Sequence, residues 1–168
     1  MRWIWIDKFV EFESGRRAVA VKNVTLAEEH LHDHFPGFPV MPECLMIEAM
    51  AQTAGILVGE AGSFREKVVL AKIGKAVFFD YVIPGDSLRV ETRIETISPE
   101  AASTSGRITR ADQLIAEIDL MFSHIDHNLA GRQFPEENFI FTGTVMSLLR
   151  DVAIRAAESG PQARGTGG

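Results

Sequence analysis

His34-Phe35-Pro36-Gly37-Phe38-Pro39-Val40-Met41-Pro42 runs directly into Glu43-Cys44-Leu45-Met46-Ile47-Glu48-Ala49-Met50-Ala51-Gln52-Thr53-Ala54-Gly55-Ile56-Leu57-Val58-Gly59, and the change of character at Pro42 decides the fold. Pro36, Pro39, Pro42 and Gly37 exclude a continuous helix over 33–42 and restrict the loop they shape. From Glu43 to Gly59, alanine, leucine and methionine take over and β-branched residues become few, which favours a helix of about four to five turns. Its apolar side chains fall on every side. That is the pattern of a helix enclosed by a sheet rather than one resting on a surface by a single face.

The flanking segments supply the sheet. Ile4 to Phe12 and Arg16 to Val24, joined through Glu13-Ser14-Gly15, read as a hairpin, with Val19 and Val21 on one face and Ala18, Ala20 and Lys22 on the other. Residues 26 to 32 are expected to form a short helical turn. After the long helix, Val68 to Phe79, Ser87 to Ile97 and Gln113 to Ile125 read as strands, with another closing over Arg107 to Arg110. Pro84-Gly85-Asp86 makes a turn, and the alternation in Leu88-Arg89-Val90-Glu91-Thr92-Arg93-Ile94-Glu95 gives one buried and one wet face. The order is hairpin, buried helix, antiparallel meander. It predicts an α+β chain in which a curved sheet rolls around one helix.

The 168 residues, 46% of them hydrophobic, fit one domain over 1–152, including a C-terminal extension from about 128. Asn128 to Gln133 is polar. Pro135 to Ala157 is expected to form a second helix with a stripe of Phe139, Thr142, Met146, Leu149, Ala153 and Ala156, the alternative being an extended appendage. Residues 158–168, rich in glycine, are expected to be a mobile tail. Asp7 and Lys8 fall too early for a secretory signal, and Glu48, Gln52 and Thr53 interrupt the most apolar stretch. The expectation is a soluble, cytoplasmic protein. Cys44 is the single cysteine, so an intrachain disulfide is excluded, and a net charge of −6 with scattered bases argues against a nucleic-acid partner.

Glu48 stands inside the apolar helix, where an ionised carboxylate must find a partner, reach solvent or stay protonated. A protonated acid beside a neutral imidazole makes a general acid and base pair, and His34, on its proline-shaped loop, is the imidazole within reach by sequence. The unpaired N–H groups at the start of the helix, those of Glu43 and Cys44, form a natural site for developing negative charge on a carbonyl oxygen. Glu48 lies five residues on, about 7.5 Å along the axis. Against these roles stands a plainer possibility for each residue: Glu48 at a sheet edge or on a core polar group, and His34 packing at the surface.

His34 to Pro42, then Leu45 and Glu48-Ala49-Met50-Ala51-Gln52, resembles the signature of the 3-hydroxyacyl-acyl-carrier-protein dehydratases, the FabZ-type branch. Ala20-Val21-Lys22-Asn23-Val24-Thr25, Pro84-Gly85-Asp86 with Leu88, Ala116-Glu117 and Met121-Phe122 are similar to further family segments, so the likeness spans about residues 4 to 125. The resemblance implies a hotdog fold, an antiparallel sheet wrapped around a long central helix, assembled as homodimers or trimers of dimers. It implies His34 as the catalytic base and Glu48, from the other subunit, as its acidic partner. Phe35, Gly37, the backbone N–H groups of Glu43 and Cys44, and Gln52 would bind substrate. The substrate would be a (3R)-3-hydroxyacyl thioester on the pantetheine arm of acyl carrier protein, and the product a trans-2-enoyl thioester, with neither metal nor other cofactor.

Departures from the family pattern bear on that activity. Glu43 replaces a glycine whose amide meets the thioester carbonyl, and its carboxylate opposes an enolate unless the side chain turns away. Asp33 replaces the glycine before the histidine, where it could orient His34. Phe78-Phe79-Asp80-Tyr81 stands where basic residues and a proline are usual, a change that would weaken docking of an acidic carrier through those bases or, through its aromatic rings, reshape the tunnel or an interface. Rival sites are a metal held by the crowded ligand-type residues His30, His32, Asp33 and His34, of which strand-like spacing would put only the three histidines on one side, a second group at His124-Ile125-Asp126-His127, and Cys44 as a nucleophile. Met41, Met46 and Met50 read as core or tunnel packing. The alternative functions are a related enoyl-thioester isomerase or hydratase, and a non-catalytic acyl-thioester-binding or structural hotdog protein.

Overall fold

The computed structural model describes residues 3–125 and 135–150. Asp126, His127, the linker 128–133, the last part of the expected helix (151–157) and the tail 158–168 lie outside the described residues. Six strands, β1 (Lys8–Glu13), β2 (Arg17–Asn23), β3 (Val68–Phe78), β4 (Ser87–Ile97), β5 (Ala101–Arg110) and β6 (Gln113–His124), form one antiparallel sheet in the order β1-β2-β4-β5-β6-β3. The helix α1 (Glu43–Ala61) lies in the concave side of that sheet and touches β2 through β6. This is the hotdog architecture expected from the sequence.

α1 begins at Pro42, whose fixed φ of −57° suits a helix entry, and ends at Gly62. Every residue from Ala49 to Gly59 except Gln52 is buried, which is why its apolar positions surround it. Thr53, fully buried, satisfies its hydroxyl by donating to Ala49 O at 2.7 Å. α1 is long and apolar enough to cross a membrane, but it is the core helix of this sheet, packed against five of its strands. Met50 passes so close to β5 that only glycine fits opposite: a Cβ on Gly106 would lie 2.6 Å from Met50 Cε and 3.0 Å from Glu91 O.

Gly85, at φ +100°, takes the left-handed conformation that the Pro84-Gly85-Asp86 turn requires. The turn is tied to the end of β2, where Val24 N–H donates to Asp86 O at 2.9 Å and Gly85 N–H to Val24 O at 2.8 Å. On the outer face, Glu91 accepts from Arg17 at 2.9 Å, Arg93 at 3.1 Å and Arg107 at 3.0 Å, binding β2, β4 and β5 together.

Three boundaries differ from the sequence expectation. β1 starts at Lys8 rather than Ile4, because Trp3 and Trp5 leave the sheet to hydrogen-bond polar side chains of α1. β5 is ten residues long rather than four; Ala101-Ala102-Ser103-Thr104-Ser105 has weak strand propensity but is held between β4 and β6, with Ala102 and Thr104 turned into the core. The second helix does not begin at Pro135. Asn138 Oδ1 accepts from Ile140 N–H at 3.1 Å and Phe141 N–H at 3.2 Å, a local turn that competes with helix, and the first helical stretch after it, α2, spans Gly143–Ser147. The expected stripe holds only in part: Phe139 and Thr142 are exposed and Leu149 packs against the core, where Phe141, Val145 and Leu148 join it, while Ala153 and Ala156 lie outside the described residues.

Candidate active site

The His34 loop is held by its own backbone. His34 N–H donates to His30 O, Phe35 N–H and Phe38 O exchange bonds with Phe38 N–H and Phe35 O, and Met41 N–H donates to Val82 O at 2.8 Å. The His34-Phe35 peptide bond is cis, and Gly37, at φ +84°, adopts a conformation that side chains rarely take. The His34 ring stacks on Phe35 with centroids 4.1 Å apart. Its Nδ1 lies 3.2 Å from Val40 O. A carbonyl only accepts, so Nδ1 carries a proton, and in the neutral ring the free lone pair is then on Nε2, the tautomer a base needs. Asp33 is exposed and is not what orients the ring; Val40 does that.

Glu48 is half-buried, and its Oε1 accepts two hydrogen bonds, from Trp3 Nε1 at 3.0 Å and Gln52 Nε2 at 3.0 Å. Gln52 in turn donates to Trp3 O at 3.1 Å and accepts from Trp5 N–H at 2.8 Å. One amide therefore joins the carboxylate to the N-terminal segment. This polar group opens onto a cavity of ≈ 320 Å³ whose other walls are almost wholly apolar, including Gly55, Leu70, Phe122 and Phe141. A polar head on an apolar pocket is the usual form of a small-molecule site.

The structure brings some of the expected residues together and separates others. Glu48 and Gln52 share the cavity; His34, Phe35, Gly37, Glu43 and Cys44 do not line it, and no hydrogen bond joins His34 to Glu48. Five residues along a helix turn the chain about 140° past a full circle, which accounts for the separation of Glu48 from the helix start. Glu43 and Cys44 are both exposed in the single chain. Tyr81 lies edge-on to Phe38 of the His34 loop at 5.4 Å, and Asp80 pairs with Arg110 at 2.7 Å.

The histidines 30, 32 and 34 do not converge. His30 packs against Trp5 at 5.1 Å, and burial pushes its pKa down. His32 Nε2 donates to Leu26 O at 3.1 Å, while His34 is committed to Val40. Among the described residues no group of three His, Cys, Asp or Glu side chains is placed to hold a metal ion. Trp3 and the inward residues of 140–148 were not identified from sequence as site residues. Neither sits in a periodic pattern that points to α1.

Comparison with known proteins agrees with this architecture. The family model described as a FabA-like domain matches residues 3–119. The 3-hydroxyacyl-acyl-carrier-protein dehydratase FabZ of Desulforamulus reducens is 38% identical over 122 residues, covering 72% of this chain and 86% of the relative. That of Caldanaerobacter subterraneus subsp. tengcongensis is 39% identical over 121 residues, covering 71% and 86%. Among solved structures, the dehydratase heterocomplex ApeI:P from Xenorhabdus doucetiae superposes with a TM-score of 0.60 at 14% identity, over 73% of this chain and 83% of that one. By fold, by family model and by extended sequence identity, the chain belongs to the FabA-like family of hotdog proteins, in its FabZ-type dehydratase branch.

Proposed function

We propose that this chain dehydrates a 3-hydroxyacyl thioester carried on acyl carrier protein, forming the trans-2-enoyl thioester and water in fatty acid biosynthesis. His34 Nε2 removes a proton from C2, the C2 electron pair forms the C2=C3 double bond, and the C3 hydroxyl leaves as water with a proton from Glu48. Solvent exchange then returns the proton from His34 to Glu48 and restores both groups. The Glu43 and Cys44 amides donate to the thioester oxygen as it gains negative charge, and Phe35, Gly37 and Gln52 border the bound substrate.

The observation that carries this reading is Glu48, held by two donors at the head of an apolar cavity, in a chain whose FabZ relatives share most of its length. Because His34 lies off that cavity, a complete site takes His34 from one chain and Glu48 from another in a homodimer, or in a trimer of dimers. β3 supports such pairing: it is an edge strand of eleven residues with Leu70, Ile73 and Val77 exposed, a row of unpaired backbone groups that a second copy would cover. The dimer would work in the cytoplasm.

The test is conversion of 3-hydroxyacyl and enoyl carrier-protein thioesters, followed in both directions by mass spectrometry. Wild type should interconvert them, and His34→Asn should lower kcat by about 10²–10⁴-fold. No conversion by the wild-type protein would refute the dehydratase activity, whatever the fold.

A further inference from the structure

Along α1, Glu48, Ala51, Gln52, Gly55 and Ile56 recur at three- and four-residue steps and form the floor of the cavity. Gly59 continues the same row, roughly 16 Å along the axis from Glu48. There the groove stops. A Cβ on Gly59 would lie 2.7 Å from Phe141 Cε2 and 3.0 Å from Cε1, so the Phe141 ring sits directly on the helix backbone where the floor would otherwise run on. Val145 and Leu148 line the cavity beside it.

The ring is fixed from several directions. It lies edge-on to Phe64 at 5.0 Å. Asn138 Nδ2 donates to Phe64 O at 3.0 Å and Glu66 O at 3.2 Å, while its Oδ1 receives the Ile140 and Phe141 N–H groups. One side chain thus clamps the segment before Phe141 to the loop after α1. All of these C-terminal residues lie beyond the 3–119 matched by the family model, so the stop is built from the segment that follows the six-stranded sheet.

We infer that Phe141, backed by Val145 and Leu148, is the end wall of the acyl pocket and sets the longest acyl chain the protein accepts. The inference rests on the acyl-thioester reading of the Glu48 site. An acyl chain entering at Glu48 gains about fourfold in affinity for each methylene it buries along the apolar floor. At Phe141 the next carbon must displace a clamped ring or fold back toward solvent, and the gain ends.

The test titrates acyl-pantetheine thioesters from butyryl to palmitoyl by calorimetry and measures turnover of the matching 3-hydroxyacyl carrier thioesters. Wild type, Phe141→Ala and Val145→Phe are compared, each first checked for a cooperative melt. Wild-type affinity should climb with length and break at one chain length. Phe141→Ala should move the break to longer chains, and Val145→Phe, which fills the cavity, to shorter ones, with turnover following. If Phe141→Ala fails to fold, the Val145→Phe shift decides alone. The same break in every folded variant overturns the inference. A break that moves as expected without any conversion supports the end wall and refutes dehydration; no binding of any thioester refutes both.

Discussion

Replacing Gln52 by leucine removes one amide that ties the Glu48 carboxylate to the N-terminal segment. Leucine has a similar volume but neither donates nor accepts, so three bonds go together: Trp5 N–H to Oε1 at 2.8 Å, and Nε2 to Trp3 O at 3.1 Å and to Glu48 Oε1 at 3.0 Å. Trp5 is only 5% exposed, so its stranded N–H bears most of the cost, about 1–3 kcal/mol, and the two wetter bonds add about 1 kcal/mol between them. Urea denaturation should therefore show a loss of about 2–4 kcal/mol. Glu48 would keep only the Trp3 indole, itself released from Gln52, so its carboxyl loses its fixed position. Under conditions where the variant is fully folded, kcat on a 3-hydroxyacyl carrier thioester should fall about 10- to 100-fold, the effect of misplacing a reacting group by about an ångström. Trp3→Phe, which removes only the indole donor, should cost less stability while still lowering kcat. A stability loss within about 0.5 kcal/mol for Gln52→Leu, the range of an ordinary surface change, would refute the proposed tether.

Two further predictions concern the scaffold. The hydrogen bond from Arg17, with help from Arg107, pulls the Glu91 carboxyl down from 4.5 to about 2, so its ionised form stabilises the folded state above the unfolded pKa and that stability is lost as pH falls toward the folded one. Glu91 is largely sheltered, at 13% side-chain exposure, and Glu91→Gln should cost about 3 kcal/mol at neutral pH. Chemical denaturation across pH should show the gap between wild type and variant shrinking by about 2 kcal/mol by pH 3; a gap independent of pH would contradict the ion-pair account. Gly106→Ala drives a Cβ against Met50 and the Glu91 carbonyl, and should cost about 1–3 kcal/mol through overpacking, seen as a lowered melting temperature. An unchanged melt would mean that α1 and β5 are not in close contact there.

The fold was legible where physical constraints are local. The Pro42 boundary, the residues that surround α1 and the alternation of β4 each specify an element from its own side chains, and the structure has α1 at Glu43–Ala61 and β4 at Ser87–Ile97. β5 was underestimated because its first half contains alanine and serine, whose strand form depends on neighbours distant in sequence. The start of β1 was misplaced for a related reason: Trp3 and Trp5 answer to Glu48 and Gln52, more than forty residues away, rather than to a strand partner. Of the site, Glu48 was legible because a carboxylate in an apolar helix needs a partner. Which groups would supply it, and that the chain after Pro135 would return to wall the cavity, depended on tertiary contacts with no periodic signal. The first part of the amphipathic stripe expected there gives way to the Asn138 turn, a side-chain-to-backbone bond that outweighs helix propensity over a few residues, while Leu149, further along it, packs against the core.

The central claim, that His34 of one chain works with Glu48 of another, is tested most directly by mixing inactive subunits. His34→Asn and Glu48→Gln homodimers should each be inactive. When they are co-assembled, each mixed dimer contains one intact pair and one doubly defective pair, so random mixing should restore about one quarter of wild-type dehydration. Mixed dimers verified by native mass spectrometry that remain fully inactive would contradict a site shared between chains.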